Sequence, residues 1–436
     1  MSDEIPSRLR WRLRQLTRKL WFRATLFSVL AVATALIAIV VEPFIPADVS
    51  RSVGADAVDN ILGVIASSML AVTIFSLSTM VTAYIGASSN VSPRAIRLLT
   101  DDATAHNALG TFIGAFLFSL VGIIALSTGL YGERGRLVLF AVTLAVVAFV
   151  VFTLLRWIEH VSKLGQVART TQRIEEAAAN AMRARHSNPY LGGLPLHTMA
   201  DIPAEATPIY PERIGYVQNI DMDALSELAQ SHPGCRIYVD SLTGTLADPS
   251  RPLVWIRPAP EAEAQQKVRE AFSIDHLRSY DQDPRFGASV LSEIASRALS
   301  TGINDPGTAI DVIGRAVRLL AIWSRPPEEG IQDISHPSVY VPEIALPDLF
   351  DDLFRPIARD GADKLEVGIR LQKGLLALAQ TGDERFLKCA QHHSRQALQR
   401  ALAVLTLEDD RQLLRELADR IARLDGTPEA AAGPAR

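Results

Sequence analysis

Two Asp-Pro pairs stand 22 residues apart, Asp283-Pro284 and Asp305-Pro306. Aspartate accepts hydrogen bonds from the free amides at a helix start, and proline suits the first helical position because no donor is lost there. Each pair therefore opens a helix. In the first, Leu291, Ile294 and Ala298 share one face, and Ser289, Glu293, Arg297 and Ser300 the other. In the second, Ile310, Ile313, Val317 and Leu320 face inward, and Thr308, Asp311, Arg315 and Arg318 outward. Thr301-Gly302-Ile303-Asn304 joins them, with Gly302 suited to a positive φ at the helix stop. The result is a helical hairpin. Its polar residues Asp283, Glu293, Arg297, Asn304 and Asp305 form a candidate ligand or coupling site. Arg297 lies one turn before a helix end, and the amides after Asn304-Asp305 suit an anion. The same residues also suit a plain folded hairpin, with i,i+4 pairs Glu293–Arg297 and Asp311–Arg315 worth about 0.3–0.5 kcal/mol each.

A second polar set, Thr73, Ser76, Thr79 and Thr82, lies inside a long uncharged run. Such hydroxyls suit a pore lining or hydrogen bonds between packed helices. Gly110-x-x-x-Gly114 in another run suits close helix contact, within one chain or between subunits. No catalytic residue is assigned. Spacing yields no nucleophile–base arrangement and no phosphate loop, so the chain reads as a non-enzyme more readily than as an enzyme. Asp348, Asp351 and Asp352 complement a helix start without metal. His392-His393 point about 100° apart on a helix and do not chelate. Two cysteines, Cys235 and Cys389, make neither a disulfide framework nor a four-ligand zinc site. No metal and no cofactor is expected. A net charge of −4 excludes a strongly basic nucleic-acid binder, so no nucleic-acid partner is expected.

The elements that must carry these residues fall into two halves. Four uncharged runs occupy the first: 24–41, 60–93, 107–132 and 137–155. About 20 apolar residues span a bilayer as a helix, so these read as four transmembrane helices. The first follows a long basic stretch, and Glu42-Pro43-Phe44-Ile45-Pro46 offers no cleavage site, so it reads as a retained helix rather than a signal peptide. The second, at 34 residues, exceeds a bilayer and either continues past it or breaks. No Asp, Glu, Lys or Arg lies inside any run, which argues against a proton relay or voltage sensor. Arg8 through Arg23 before the first run, and Arg156, Lys163, Arg169 and Arg173 after the fourth, place both termini in the cytoplasm.

The expected organisation is a basic N-terminus over 1–23, a four-helix membrane domain over 24–158, and a helix extension with linker over 159–210. A small cytoplasmic α/β unit follows over 211–280, with strands at 213–219, 236–239 and 253–256 and a helix from Asp221. A helical cytoplasmic domain covers 281–425, its last helix capped by Thr406, and 426–436 reads as a disordered tail. The fold class is a mainly α membrane protein with a cytoplasmic α/β unit and a C-terminal helical region.

Two segments carry a family resemblance. One is Phe75-Ser76-Leu77-Ser78 with Ser92-Pro93-Arg94 and Leu109-Gly110-Thr111-Phe112-Ile113-Gly114. The other runs from Gln282-Asp283-Pro284-Arg285-Phe286-Gly287 through Glu293–Ser300 to Gly302-Ile303-Asn304-Asp305-Pro306-Gly307-Thr308-Ala309. With Gly215-Tyr216-Val217-Gln218 they resemble the bacterial predicted-membrane-protein family termed domain of unknown function 2254, over about residues 10–420. Thr301 departs from the proline more usual there. The resemblance implies a polytopic inner-membrane protein with a cytoplasmic C-terminal region and assigns no reaction. The leading expectation is a non-enzymatic, homo-oligomeric channel or transport-like protein in the lipid bilayer with a cytoplasmic regulatory domain. Its rival is a membrane-anchored sensor or scaffold that binds a ligand or protein through the hairpin.

Overall fold

A computed structural model describes residues 19–41, 55–100, 102–129, 133–163, 166–325 and 334–424. The expected tail and all but the last five residues of the basic N-terminus lie outside the described residues. Contacts divide the chain into two units that meet in sequence between Thr170 and Thr171.

The first unit holds α1 (Leu20–Val41), α2 (Ala55–Asn90), a 3-10 turn at Pro93–Ala95, α3 (Ile96–Thr100), α4 (Ala103–Ser127) and α5 (Glu133–Lys163). Among the described residues three helices are long and apolar enough to cross a bilayer, over Val58–Ser88, Ala103–Ser127 and Gly135–Lys163. The apolar stretch of α1, Trp21–Ile37, is shorter. The 36 residues of α2 form one unbroken helix, about 54 Å at 1.5 Å per residue, which answers the question its length raised. Of the three long helices α4 is the central one. Just over half of its apolar window is buried, against about a fifth for α2 and α5, and it packs on α1, α2 and α5. Phe75, Ile74, Ile85 and Leu155 are among the large apolar side chains left exposed on α2 and α5, as a hydrocarbon surround requires.

The second unit begins within α6 (Val167–Ser187). It continues with β1 (Leu194–Leu196), β2 (Thr207–Ile209), β3 (Gly215–Ile220), α7 (Met222–Gln230), β4 (Arg236–Val239), β5 (Leu246–Ala247), β6 (Val254–Arg257), α8 (Ala262–Ala271) and β7 (Phe272–Asp275). Then come α9 (Pro284–Ala298), α10 (Pro306–Trp323), β8 (Val339–Pro342), α11 (Leu346–Asp360), α12 (Leu365–Ala379), α13 (Glu384–Val404) and α14 (Glu408–Ala422). One sheet has the order β1-β8-β4-β6-β2, with β8 parallel to both β1 and β4, and β6 antiparallel to β4 and β2. The pairing Tyr238↔Tyr340 stacks two rings 4.8 Å apart. A smaller antiparallel sheet has the order β5-β3-β7. Ile237, Val239, Val254, Ile256, Val339 and Val341 alternate into a core shared with Leu225 and Val268 from α7 and α8.

The sheets cross the expected domain limits. The region expected to be linker supplies β1 and β2, and the region expected to be helical supplies β8, so one sheet draws on three expected domains. The strand expected at 213–219 runs from Gly215 to Ile220, and that at 253–256 from Val254 to Arg257. Thr406 does not cap the last helix, which starts at Glu408 after Leu407 with no side-chain cap.

Candidate functional site

Asp283 is where the expected site begins. It accepts a hydrogen bond from the Phe286 amide at 3.1 Å and so caps α9, as the Asp-Pro pattern requires. The carboxylate is 2% exposed. Burial pushes its pKa up; the Arg278 guanidinium opposes this, donating from Nε at 2.8 Å and Nη2 at 3.0 Å. This bidentate geometry is the strong form of the pair. Gly244, at φ +87°, closes over it: a Cβ there would collide with the Asp283 carboxylate. Only glycine combines that backbone with that approach. Thr243 donates from Oγ1 to the Gln282 carbonyl at 2.7 Å, tying the same turn to the start of α9.

These groups wall a cavity of about 590 Å³ outside the carboxyl ends of the parallel strands β4 and β8. The chain leaves β4 into Asp240–Gly244 and β8 into Glu343–Ala345, and both segments line it. Such crevices are where open α/β sheets take ligands. Three guanidiniums face it, Arg251, Arg278 and Arg285, against the carboxylates of Asp240, Asp248, Asp283, Glu343 and Asp348. Arg251 donates to Asp240 at 2.9 Å. Arg285 is held by Asp348 and by Asp352, donating to the latter at 2.7 Å, which joins α9 to α11. The lining therefore offers fixed charges of both signs.

The other expected hairpin residues lie elsewhere. α9 has 15 residues, about 22 Å, so Asp283 at its start is remote from Asn304 and Asp305 beyond its end. Asp305 caps α10, accepting from the Thr308 amide at 3.0 Å, and that hydroxyl and amide hold its carboxyl below the usual range. Asn304, not Gly302, takes the left-handed conformation, at φ +51°; Asn is the non-glycine residue that tolerates it best. Arg297 lies in the last turn of α9 with its buried Nε unpartnered, and Glu293 is half-buried mid-helix. So Arg297, Asn304 and Asp305 share one end of the hairpin, and Asp283 belongs to the cavity at the other.

Arg315 departs from the expected outward face. Its side chain is 11% exposed and joins α10 to α6, donating to Glu175 at 2.6 Å and to Asp311 at 2.7 Å. Arg318 adds bonds to Glu175 of 2.7 and 3.0 Å. Burial alone would raise the Glu175 carboxyl; Arg318 and Arg315 outweigh it and hold it low. Gly287 faces Ala178 of α6 with no room for a Cβ. These contacts fix α6 within the second unit.

In the first unit Thr73, Thr79 and Thr82 donate to the carbonyls of Met69, Phe75 and Ser78 on their own helix, at 2.6, 2.9 and 3.0 Å. Ser76 is fully buried with its Oγ unpartnered. Gly110 and Gly114 receive α1: a Cβ on Gly110 would lie 2.9 Å from the Phe27 ring, and one on Gly114 3.2 Å from the Phe27 carbonyl oxygen. The small-residue contact is thus made within one chain. Sequence reasoning missed a further pair, Asp102 at the start of α4 and His160 in the last turn of α5, whose Oδ2 and Nε2 lie 2.8 Å apart. Asp102 also caps α4 through the Thr104 amide at 2.8 Å. Its place just before an uncharged run was the available signal. Among the described residues no group of three His, Cys, Asp or Glu side chains is placed to hold a metal.

The family described as predicted membrane protein, domain of unknown function 2254, matches residues 17–377. Uncharacterised proteins of Mycobacterium tuberculosis and Mycobacterium bovis are each 26% identical over 263 residues, covering 58% of this chain and 50% of theirs. The chain thus spans about half the length of the curated relatives it matches. No solved structure matches.

Proposed function

The chain belongs to the predicted-membrane-protein family domain of unknown function 2254, and from that premise we propose that it is a membrane-anchored sensor. Its second unit binds a small polar ligand that carries both charge signs, in the cavity beyond β4 and β8. One observation carries this reading: a cavity of about 590 Å³, lined by three guanidiniums and five carboxylates. Its size is that of a small-molecule site. A ligand of one sign meets like charges on part of that wall, whereas a zwitterion finds a partner for each end.

Four membrane helices with both ends in the cytoplasm, as the basic flanks indicate, complete the proposal and make the bacterial inner membrane its location. The sensor reading is favoured over an oligomeric channel because Thr73, Thr79 and Thr82 donate to their own backbone and the fourth hydroxyl of that set, Ser76, is fully buried. Those threonines need no pore water.

The test is a thermal-shift panel on the full chain in detergent, with free amino acids and short peptides as probes. A zwitterionic probe is expected to raise the melting temperature, and Arg251→Gln or Asp248→Asn to abolish the shift. A panel that leaves the melting temperature unmoved, or a shift indifferent to both variants, overturns the proposal.

A further inference from the structure

We infer that the second unit holds a separate site for a phosphate-bearing small molecule, in a basic groove behind the segment Pro342–Ala345. Two cavities of about 490 and 470 Å³ share Tyr190, Glu343 and Arg385 as walls. Arg325 and His186 line the first, and Lys388 and His197 the second. The carboxylates that face them are Glu343 and Asp383. Asp383 occupies one edge of Arg385, at 2.9 Å from Nη2, while Glu343 stands 3.8 Å from Nη1.

Arg185, near the C-terminal end of α6, lines neither cavity but lies behind their shared walls, its charge felt by Glu343 and Tyr190. It is 3% exposed. Nη2 donates to the Pro342 carbonyl at 2.9 Å, and Nε has no partner. Burial pulls its pKa down to about 10, and Glu343 and Tyr190, the walls common to both cavities, act against that. The guanidinium stays charged at neutral pH. A buried cation served by one carbonyl and one half-exposed carboxylate is short of compensation. Next to it, the buried Nε2 of His186 also lacks a partner, and its ring lies 5.6 Å from that of Trp323. Ala345, Leu346 and Pro347 line the 470 Å³ cavity where α11 begins, and Ala345 gives that helix no side-chain cap. The positive end of the helix therefore adds to the same field.

The site thus combines forked guanidiniums along the groove with aromatic walls, and a buried cation sits behind the walls that the two cavities share. Guanidinium forks match phosphate oxygens, and spaced cations suit a ligand with more than one phosphate. The 470 Å³ cavity shares the segment Pro342–Ala345 with the cavity of the proposed sensor, but the cations that line them differ: Arg325, Arg385 and Lys388 on this side, Arg251, Arg278 and Arg285 on the other.

The test is titration calorimetry on the full chain in detergent with pyrophosphate, ADP and citrate at matched ionic strength. Pyrophosphate and ADP are expected to bind with Kd below about 1 mM. Arg325 is exposed and Lys388 pairs only along its own helix, so Arg325→Gln with Lys388→Gln keeps the fold. That double variant is expected to weaken binding about tenfold or more, one charge-assisted bond being worth about that much. Arg251→Gln leaves the pyrophosphate affinity within about twofold, because Arg251 lines neither of these two cavities. Failure of the sensor proposal therefore leaves this one standing, and the reverse. No pyrophosphate or ADP binding up to about 10 mM, citrate binding as tightly as pyrophosphate, or affinity unmoved in the double variant would each overturn it.

Discussion

The two units put many of their polar groups to different uses. In the first, hydroxyls turn back on their own helix, as Thr73 does to Met69 and Thr143 to Leu139. Close packing there is made by glycine, with Gly110 and Gly114 against Phe27. In the second, carboxylates and guanidiniums reach across elements: Glu175 ties α6 to α10, and Arg285 ties α9 to α11. The difference follows from the solvent each unit meets. Hydrocarbon leaves a donor no partner but its own chain. Where water is at hand, charges are tolerated if paired, and paired charges can then be spent on geometry.

The largest expected effect lies in the second unit. Asp283→Ala leaves Arg278 without its bidentate partner and is expected to destabilise that unit by about 3 kcal/mol or more, the range for breaking a buried pair. Urea unfolding that monitors the second unit measures it. A loss under about 1 kcal/mol would place the pair among surface ion pairs and blur the contrast between the units.

The matching break in the first unit is Gly114→Leu. It forces α1 away from α4 and is expected to cost about 1–3 kcal/mol, as overpacking does. Heat-induced aggregation of the detergent-solubilised chain reads it. A variant as stable as the parent contradicts the intrachain contact.

The pH dependence sharpens the contrast further. His393 is 5% exposed, packs 5.6 Å from Phe350, and is driven down to about 4 by burial, with Asp351 opposing. Its folded value lies below the ordinary 6.5, so between about pH 6.5 and 4 the unfolded chain takes up a proton that the folded chain refuses. Stability from this group is full above that window and falls by about 3 kcal/mol as pH drops through it. His393→Leu is expected to flatten that part of the profile in melting curves between pH 7 and 4. An unchanged slope contradicts the buried neutral ring.

The smallest effect is expected at Thr79→Val and Thr82→Val, within about 0.5 kcal/mol, because each loses only a bond to its own helix. A reconstituted flux that collapses in these variants would restore the transport-like reading.

Local chemistry was legible from residue order. Asp283-Pro284 and Asp305-Pro306 both start helices, and Leu291, Ile294, Ile313 and Leu320 are buried as their spacing required. What residue order hid is convergence. Arg251, Arg278, Gly244 and Glu343 come from four segments, and only the order β1-β8-β4-β6-β2 brings the ends of β4 and β8 together. Strands of three or four residues such as β1, β2 and β8 are too short for alternation to declare itself. Arg315 looked solvent-facing because its partner Glu175 is 140 residues away.

Hydrogen exchange on the full chain in membrane, with and without a zwitterion that raises its melting temperature, tests the central claim most directly. The account predicts slowed exchange over residues 240–251 and 342–348, the segments that wall the cavity beyond β4 and β8. Protection absent from both segments and present instead along residues 73–82 would contradict it.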